Sequence, residues 1–233
     1  MDGGNTRRAA TTGAVLVGAY RGEPRWAMAG TVLAAAGLHA TLPTEVRLIG
    51  QAWLYPSIVG VLLLVLIVGD PGRIDRTDPW LRVVTGLLIA FITLVNAISA
   101  DYLVRLILDG ADKQLGGPVR LLTAGAAIWI INVLAFGLWF WDLDQGGAAE
   151  RAAGTMRLPA LLFPEMGNPE VVRAGWAPTL PDYLHMSWGA STSLGPSDVS
   201  AIKLWSKAMI TFEAGVSLLL GVLIVARAIN LLP

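Results

Sequence analysis

Between Ser191 and Val199 the chain reads "STSLGPSDV". Three hydroxyl residues lead into a glycine–proline break and then an acid. Hydroxyls and freed carbonyls gathered at one point are ligands for a cation that has shed its water. The chemistry these residue types offer is ion coordination rather than bond making. The rest of the sequence offers few alternatives. It contains no cysteine, which excludes thiolate catalysis and Cys-based metal sites, and only two histidines, His39 and His185. HExxH, GxSxG, P-loop and strand-borne GxGxxG patterns are absent. Asp142 and Asp144 lack the remainder of a calcium loop. Neither an enzyme nor a cofactor is therefore expected, and a formal net charge of zero gives nucleic acid no partner.

The elements that must hold this stretch follow from its flanks. Thr179 and Asp182 have the spacing of a capping box, and Pro181 falls in the first turn. They predict a helix over Leu180 to Ser193, about 20 Å long at 1.5 Å per residue and too short to cross a bilayer. It would carry Tyr183, Met186 and Ala190 on one face, and Ser191, Thr192 and Ser193 at its end. Gly195-Pro196 breaks it, and a long apolar helix follows from Ile202 to Leu232. A short helix, a break and a full-length helix describe a re-entrant loop, in which irregular backbone at membrane depth lines water or is buried in protein. The same residues also make an ordinary turn, with Ser197 or Asp198 capping the last helix. Glu213 lies inside that helix. It is expected either near the interface or buried against backbone N–H groups of Thr192–Gly195.

The whole chain fits a bilayer. Of 233 residues, 55% are hydrophobic and 15% charged, against about 25% charged in soluble domains; mean hydropathy is +0.61. Residues 1–25 read as a polar tail without a signal peptide. Residues 26–141 hold four spans: Trp26 to Leu42, Trp53 to Val68, Trp80 to Leu108, and Leu121 to Trp141. Residues 142–178 read as a polar loop, and residues 179–233 as the re-entrant helix, loop and last span. The expected fold class is all-α: a polytopic membrane protein with about five transmembrane helices and a short pore-like helix before the last. Gly30/Ala34 and Ser217/Gly221 have the small-xxx-small spacing that lets helices approach. Asp101 and Arg105 are placed to pair on one helix. Asn96, Ser99 and Asn132 are placed to hydrogen-bond between helices. Asp70, Asp75 and Asp78 alternate with Arg73 and Arg76 as in a solvated loop.

"TSLGPSDV" resembles the pore signature of the potassium-channel superfamily, Thr-Thr-Val-Gly-Tyr-Gly-Asp-Ile. Thr192, Ser193, Leu194, Gly195, Asp198 and Val199 carry the likeness. Tyr183 stands where an aromatic opens the pore helix, and Glu213 where the inner helix has an acid near its start. The chain as a whole resembles a family of uncharacterised bacterial multi-pass integral membrane proteins through "GDPGRID", "WDLDQGG" and "ARAIN". The resemblance implies a channel-like protein of the bacterial inner membrane. It also implies a homo-oligomer, with a tetramer favoured because one chain supplies one pore loop. Two residues depart from the pattern. Pro196 replaces the filter tyrosine and Ser197 the second glycine, and neither reaches the alternating conformations of a potassium filter cheaply. The expectation is a weakly selective path for monovalent cations. The alternatives are a non-conducting scaffold or partner subunit with a degenerate loop, and a small ion- or proton-coupled transporter using Glu213. Arg7, Arg8, Arg21 and Arg25, with Arg73, Arg76 and Arg82, place the N-terminus inside. The potassium-channel likeness requires the opposite.

Overall fold

The computed structural model describes residues 22–48, 50–51, 53–110, 115–155, 157–168, 170–172, 176–193 and 198–230. The chain opens with β1 (Glu23–Pro24) and runs into α1 (Arg25–Ala40). It returns through α2 (Leu54–Gly69), whose sequence is apolar nearly throughout. The end of α2 is locked beside the start of α1. Arg25 donates from Nε to the Asp70 carbonyl at 2.6 Å and from Nη2 to the Asp70 carboxylate at 2.6 Å. β2 (Arg73–Ile74) pairs antiparallel with β1. Then come α3 (Pro79–Leu108) and α4 (Pro118–Leu143), each opened by proline, whose missing N–H would have had no helical acceptor.

The segment after α4 contains α5 (Ala148–Ala153), β3 (Leu161–Leu162) and α6 (Pro164–Gly167). α7 (Leu180–Ser193) follows, then β4 (Ser200–Ala201), antiparallel to β3, and α8 (Leu204–Asn230). Among the described residues three helices are long and apolar enough to cross a membrane: α3, α4 and α8. α1 and α2 have 16 residues each, about 24 Å against a hydrocarbon core of about 30 Å.

α4 is the centre of the bundle. Its apolar stretch is 67% buried, against 33% for α3 and for α8, so the other two keep a face turned outward. Two glycines let neighbours close on it. A Cβ on Gly125 would stand 2.4 Å from Ile224 of α8, and one on Gly137 2.6 Å from Leu184 of α7. The small-xxx-small pairs read from sequence do not serve this purpose here. Gly30, Ala34 and Gly221 are exposed, and a Cβ on Gly30 or Gly221 would meet nothing.

Two apolar clusters divide the bundle lengthwise. One joins α1, α2, the first half of α3, the end of α4 and α7; the other joins Leu42 and Val46 to the far halves of α3, α4 and α8. The first lies toward the end where β1, β2, β3 and β4 sit, called the cap end below. Helix directions follow from paired contacts. Ser187 reaches Val133 and Glu213, and Ser191 reaches Glu213 and Ser217. α7 is thus antiparallel to α4 and parallel to α8. Both α7 and α8 start at the cap end, so the chain that descends through α7 is back at that end by Ser200.

Three expectations are corrected at the cap. Residues 22–25 are not part of a polar tail: Glu23 and Arg25 are 3% and 5% exposed. Asp70 is not solvated either, because it is enclosed with Arg25. Residues 142–178 are also more than a loop, since Asp144, Arg151, Leu161 and Phe163 are buried there. The cause is pairing between residues distant in sequence, which local polarity does not reveal.

Candidate functional site

The hydroxyl residues of α7 divide between two faces. Ser191 points into the bundle, donating to Glu213 Oε1 at 3.0 Å and accepting from Ser217 at 3.1 Å. One turn earlier, Ser187 also contacts Glu213 Oε1 and lies 2.8 Å from the Val133 carbonyl. Glu213 is fully buried, and its Oε2 has no hydrogen-bond partner among the described residues. The partners expected for Glu213 were backbone N–H groups near Thr192–Gly195, of which Leu194 and Gly195 lie outside the described residues; among the described residues its partners are serine hydroxyls. Ser187 escaped the sequence reading. Its signal was present, because Ser187/Ser191 and Glu213/Ser217 are both i, i+4 pairs, two matching polar stripes on apolar helices.

Thr192 points the other way. It is exposed, and its hydroxyl donates to the Trp188 carbonyl at 2.8 Å. A hydroxyl so engaged keeps acceptor lone pairs for a cation. Ser193 closes α7. Leu194, Gly195, Pro196 and Ser197 lie outside the described residues. Asp198 is exposed just before β4, and Val199 is buried.

No family model, curated protein or solved structure matches this chain.

The start of α7 is anchored in a buried polar cluster. Asp182 Oδ2 accepts from both the Thr179 N–H at 2.7 Å and the Thr179 hydroxyl at 2.8 Å. This is a capping box in which the carboxylate takes both donors. The Tyr183 hydroxyl donates to Asp144 Oδ2 at 2.8 Å, and Ala160 N–H donates to Asp144 Oδ1 at 2.7 Å. Burial pushes the Tyr183 phenol far above the usual range, so it stays a donor. Tyr183 therefore fixes the helix to the cap.

Glu23 completes the anchor. It accepts from Leu180 N–H at 2.9 Å and Trp141 Nε1 at 3.0 Å, and pairs with Arg151 at 3.0 Å. Arg151 is fully buried and also donates to the carbonyls of Trp141 at 3.0 Å and Asp144 at 2.9 Å. Sequence reasoning missed Glu23 and Arg151, because their separation leaves no local pattern.

The remaining candidates fall as follows. Asp101 and Arg105 pair at 2.7 Å on an exposed face. Asn96 Nδ2 donates to the Ile128 carbonyl at 3.1 Å across α3 and α4, whereas Ser99 Oγ and Asn132 Nδ2 have no partner among the described residues. His39 packs its ring 4.0 Å from Tyr55, and His185 is exposed. No cluster of three or more His, Cys, Asp or Glu suited to a metal occurs among the described residues.

Proposed function

We propose that this chain is a channel-like membrane protein. Several copies, most naturally four, assemble around α8 and the tip of α7, and monovalent cations pass between them with weak selectivity. In this reading α1 and α2 also cross the bilayer, with little tilt, making five crossings in a bacterial inner membrane.

The observation that carries the proposal is the exposed Thr192 at the end of a half-length helix whose chain turns back to the end it came from. The C-terminal end of α7 turns unpaired carbonyls and negative dipole toward one place, which stabilises a cation and not an anion. Ser191 holds that end against Glu213, inside the protomer and away from the path. On α8, Ala208, Thr211, Gly215, Leu218, Val222 and Ala226 form an exposed strip at helical spacing, suited to face a copy. One chain supplies one such helix end, so a closed path calls for copies. The deciding experiment is a mass measurement in nanodiscs. A closed oligomer is expected, and a monomer removes the pore.

A second reading makes Glu213 a proton or ion carrier in a small transporter. Its motive is the Glu213 Oε2 atom, buried without a partner among the described residues. A monomer that moves protons, and loses this with Glu213→Gln, would favour it.

A further inference from the structure

Asn96, Ser99 and Asn132 have no part in the pore reading, yet all three are buried near the middle of α3 and α4, at 4%, 0% and 7% exposure. Asn96 Nδ2 donates to the Ile128 carbonyl at 3.1 Å. That bond fixes which end of the amide is the donor and leaves Oδ1 as the acceptor. Asn96 Oδ1, Ser99 Oγ and Asn132 Nδ2 have no hydrogen-bond partner among the described residues. A polar atom held away from solvent without a partner is unfavourable, and inside a bilayer no bulk water can reach it.

The two asparagines approach one another across the seam between these helices. Trp139 bonds to Thr93 and Asn96 to Ile128, so α3 and α4 run antiparallel. Ile128 and Asn132 are one turn apart on α4 and share a face. A helical carbonyl points toward the C-terminus of its helix, which turns the Ile128 oxygen toward Asn132. Side chains lean the other way, toward the N-terminus of their own helix. In an antiparallel pair Asn96 thus leans toward Asn132, and Asn132 toward Asn96. The Ser99 hydroxyl stands about a turn farther along α3, on the same side as Asn96. Toward the cap the seam is flanked by the Trp139 indole, which donates to Thr93 Oγ1 at 2.9 Å. Toward the far end it is flanked by Leu103 and Leu121, both fully buried. Asp101 and Arg105, the nearest ionised residues along α3, pair with each other on an exposed face.

We infer that the α3–α4 seam is a binding site for water, with one molecule accepting from Asn132 Nδ2 and donating to Asn96 Oδ1. The ligand must be acceptor to one amide and donor to the other. A metal ion or an ammonium group offers Asn132 no acceptor, and an anion offers Asn96 no donor. Water does both, and buried water characteristically links polar groups that the fold leaves unpaired. The Ser99 hydroxyl extends the site along α3, as the partner of a second molecule. Ordered water also accounts for how two asparagines and a serine are tolerated inside a bundle whose helices are otherwise apolar here. The site lies within one chain and does not depend on assembly or on a cation path.

The test is a double-variant cycle on the melting temperature of the full chain in nanodiscs, with Asn96→Leu, Asn132→Leu and the two combined. Leucine keeps the branched shape without the amide. A shared water is lost with either residue, so removing the second amide costs less than removing the first. Each single variant should melt lower than the wild type, and the double variant should fall short of the summed losses by about 2–4 °C. Additive losses would overturn the inference. So would a higher midpoint for Asn132→Leu, since an unpartnered buried donor is better removed. Should a leucine variant fail to fold, a wild-type structure that resolves internal waters decides. Density within hydrogen-bond reach of both amides is expected, and its absence there would overturn the site.

Discussion

Ser191 and Thr192 are adjacent, yet the first is buried against a carboxyl and the second faces outward. Helical geometry rotates successive residues by about 100°, so a run of hydroxyls at a helix end cannot all serve one site. The run was legible in the sequence; its division was not, because it depends on which face packs on α8. Around Glu213, three serine hydroxyls share their acceptors. Glu213→Gln keeps an acceptor oxygen there. Glu213→Leu removes it, leaving the serines one acceptor short at a cost of about 1–3 kcal/mol. The leucine variant should therefore melt several degrees below the glutamine variant, and equal midpoints would show that the serines do not depend on Glu213. Arg151 carries more. Arg151→Met leaves the Glu23 carboxylate buried without its cation, a loss of about 3–5 kcal/mol. Chemical denaturation should recover part of that loss when Glu23→Gln is added, and additive effects would contradict the pairing.

At the scale of elements, the sequence marks the helices well. α7 runs from Leu180 to Ser193, where the capping residues and the glycine–proline break place it. α3 and α4 begin at prolines that also stand in the sequence as start signals. What composition hid is the cap. Asp144 and Arg151, between α4 and α7, are buried because they bond to Tyr183, to backbone carbonyls and to Glu23 rather than to water. Polarity alone does not distinguish these cases. The return of the chain after α7 is open to a direct check, since the protein has no native cysteine. Pro181 and Ser200 are exposed at the two ends of the segment. Single cysteines at these positions should react with an impermeant reagent from the same side of a sealed vesicle. Reaction from opposite sides would make α7 and its connection a crossing.

For the whole molecule, α4 organises a bundle whose outer helices leave apolar faces uncovered. The exposed side chains of α8 include Phe212, Leu219 and Val225. Lipid and neighbouring copies are the two coverings such a face accepts, and closed symmetry would direct one strip to copies and the rest to lipid. Membrane character was evident from composition and apolar runs, whereas the outer face of α8 is a surface that only the folded chain defines. The central claim is that a cation path forms where those surfaces meet, at the tip of α7. Ion flux from reconstituted vesicles tests it most directly, comparing potassium, sodium and chloride for the wild type and Thr192→Val. Potassium and sodium should pass at similar rates and chloride not at all, with a clear reduction in the valine variant, which keeps the shape but removes the exposed oxygen. Absence of cation flux in an assembled protein, or flux unchanged by Thr192→Val, would contradict it.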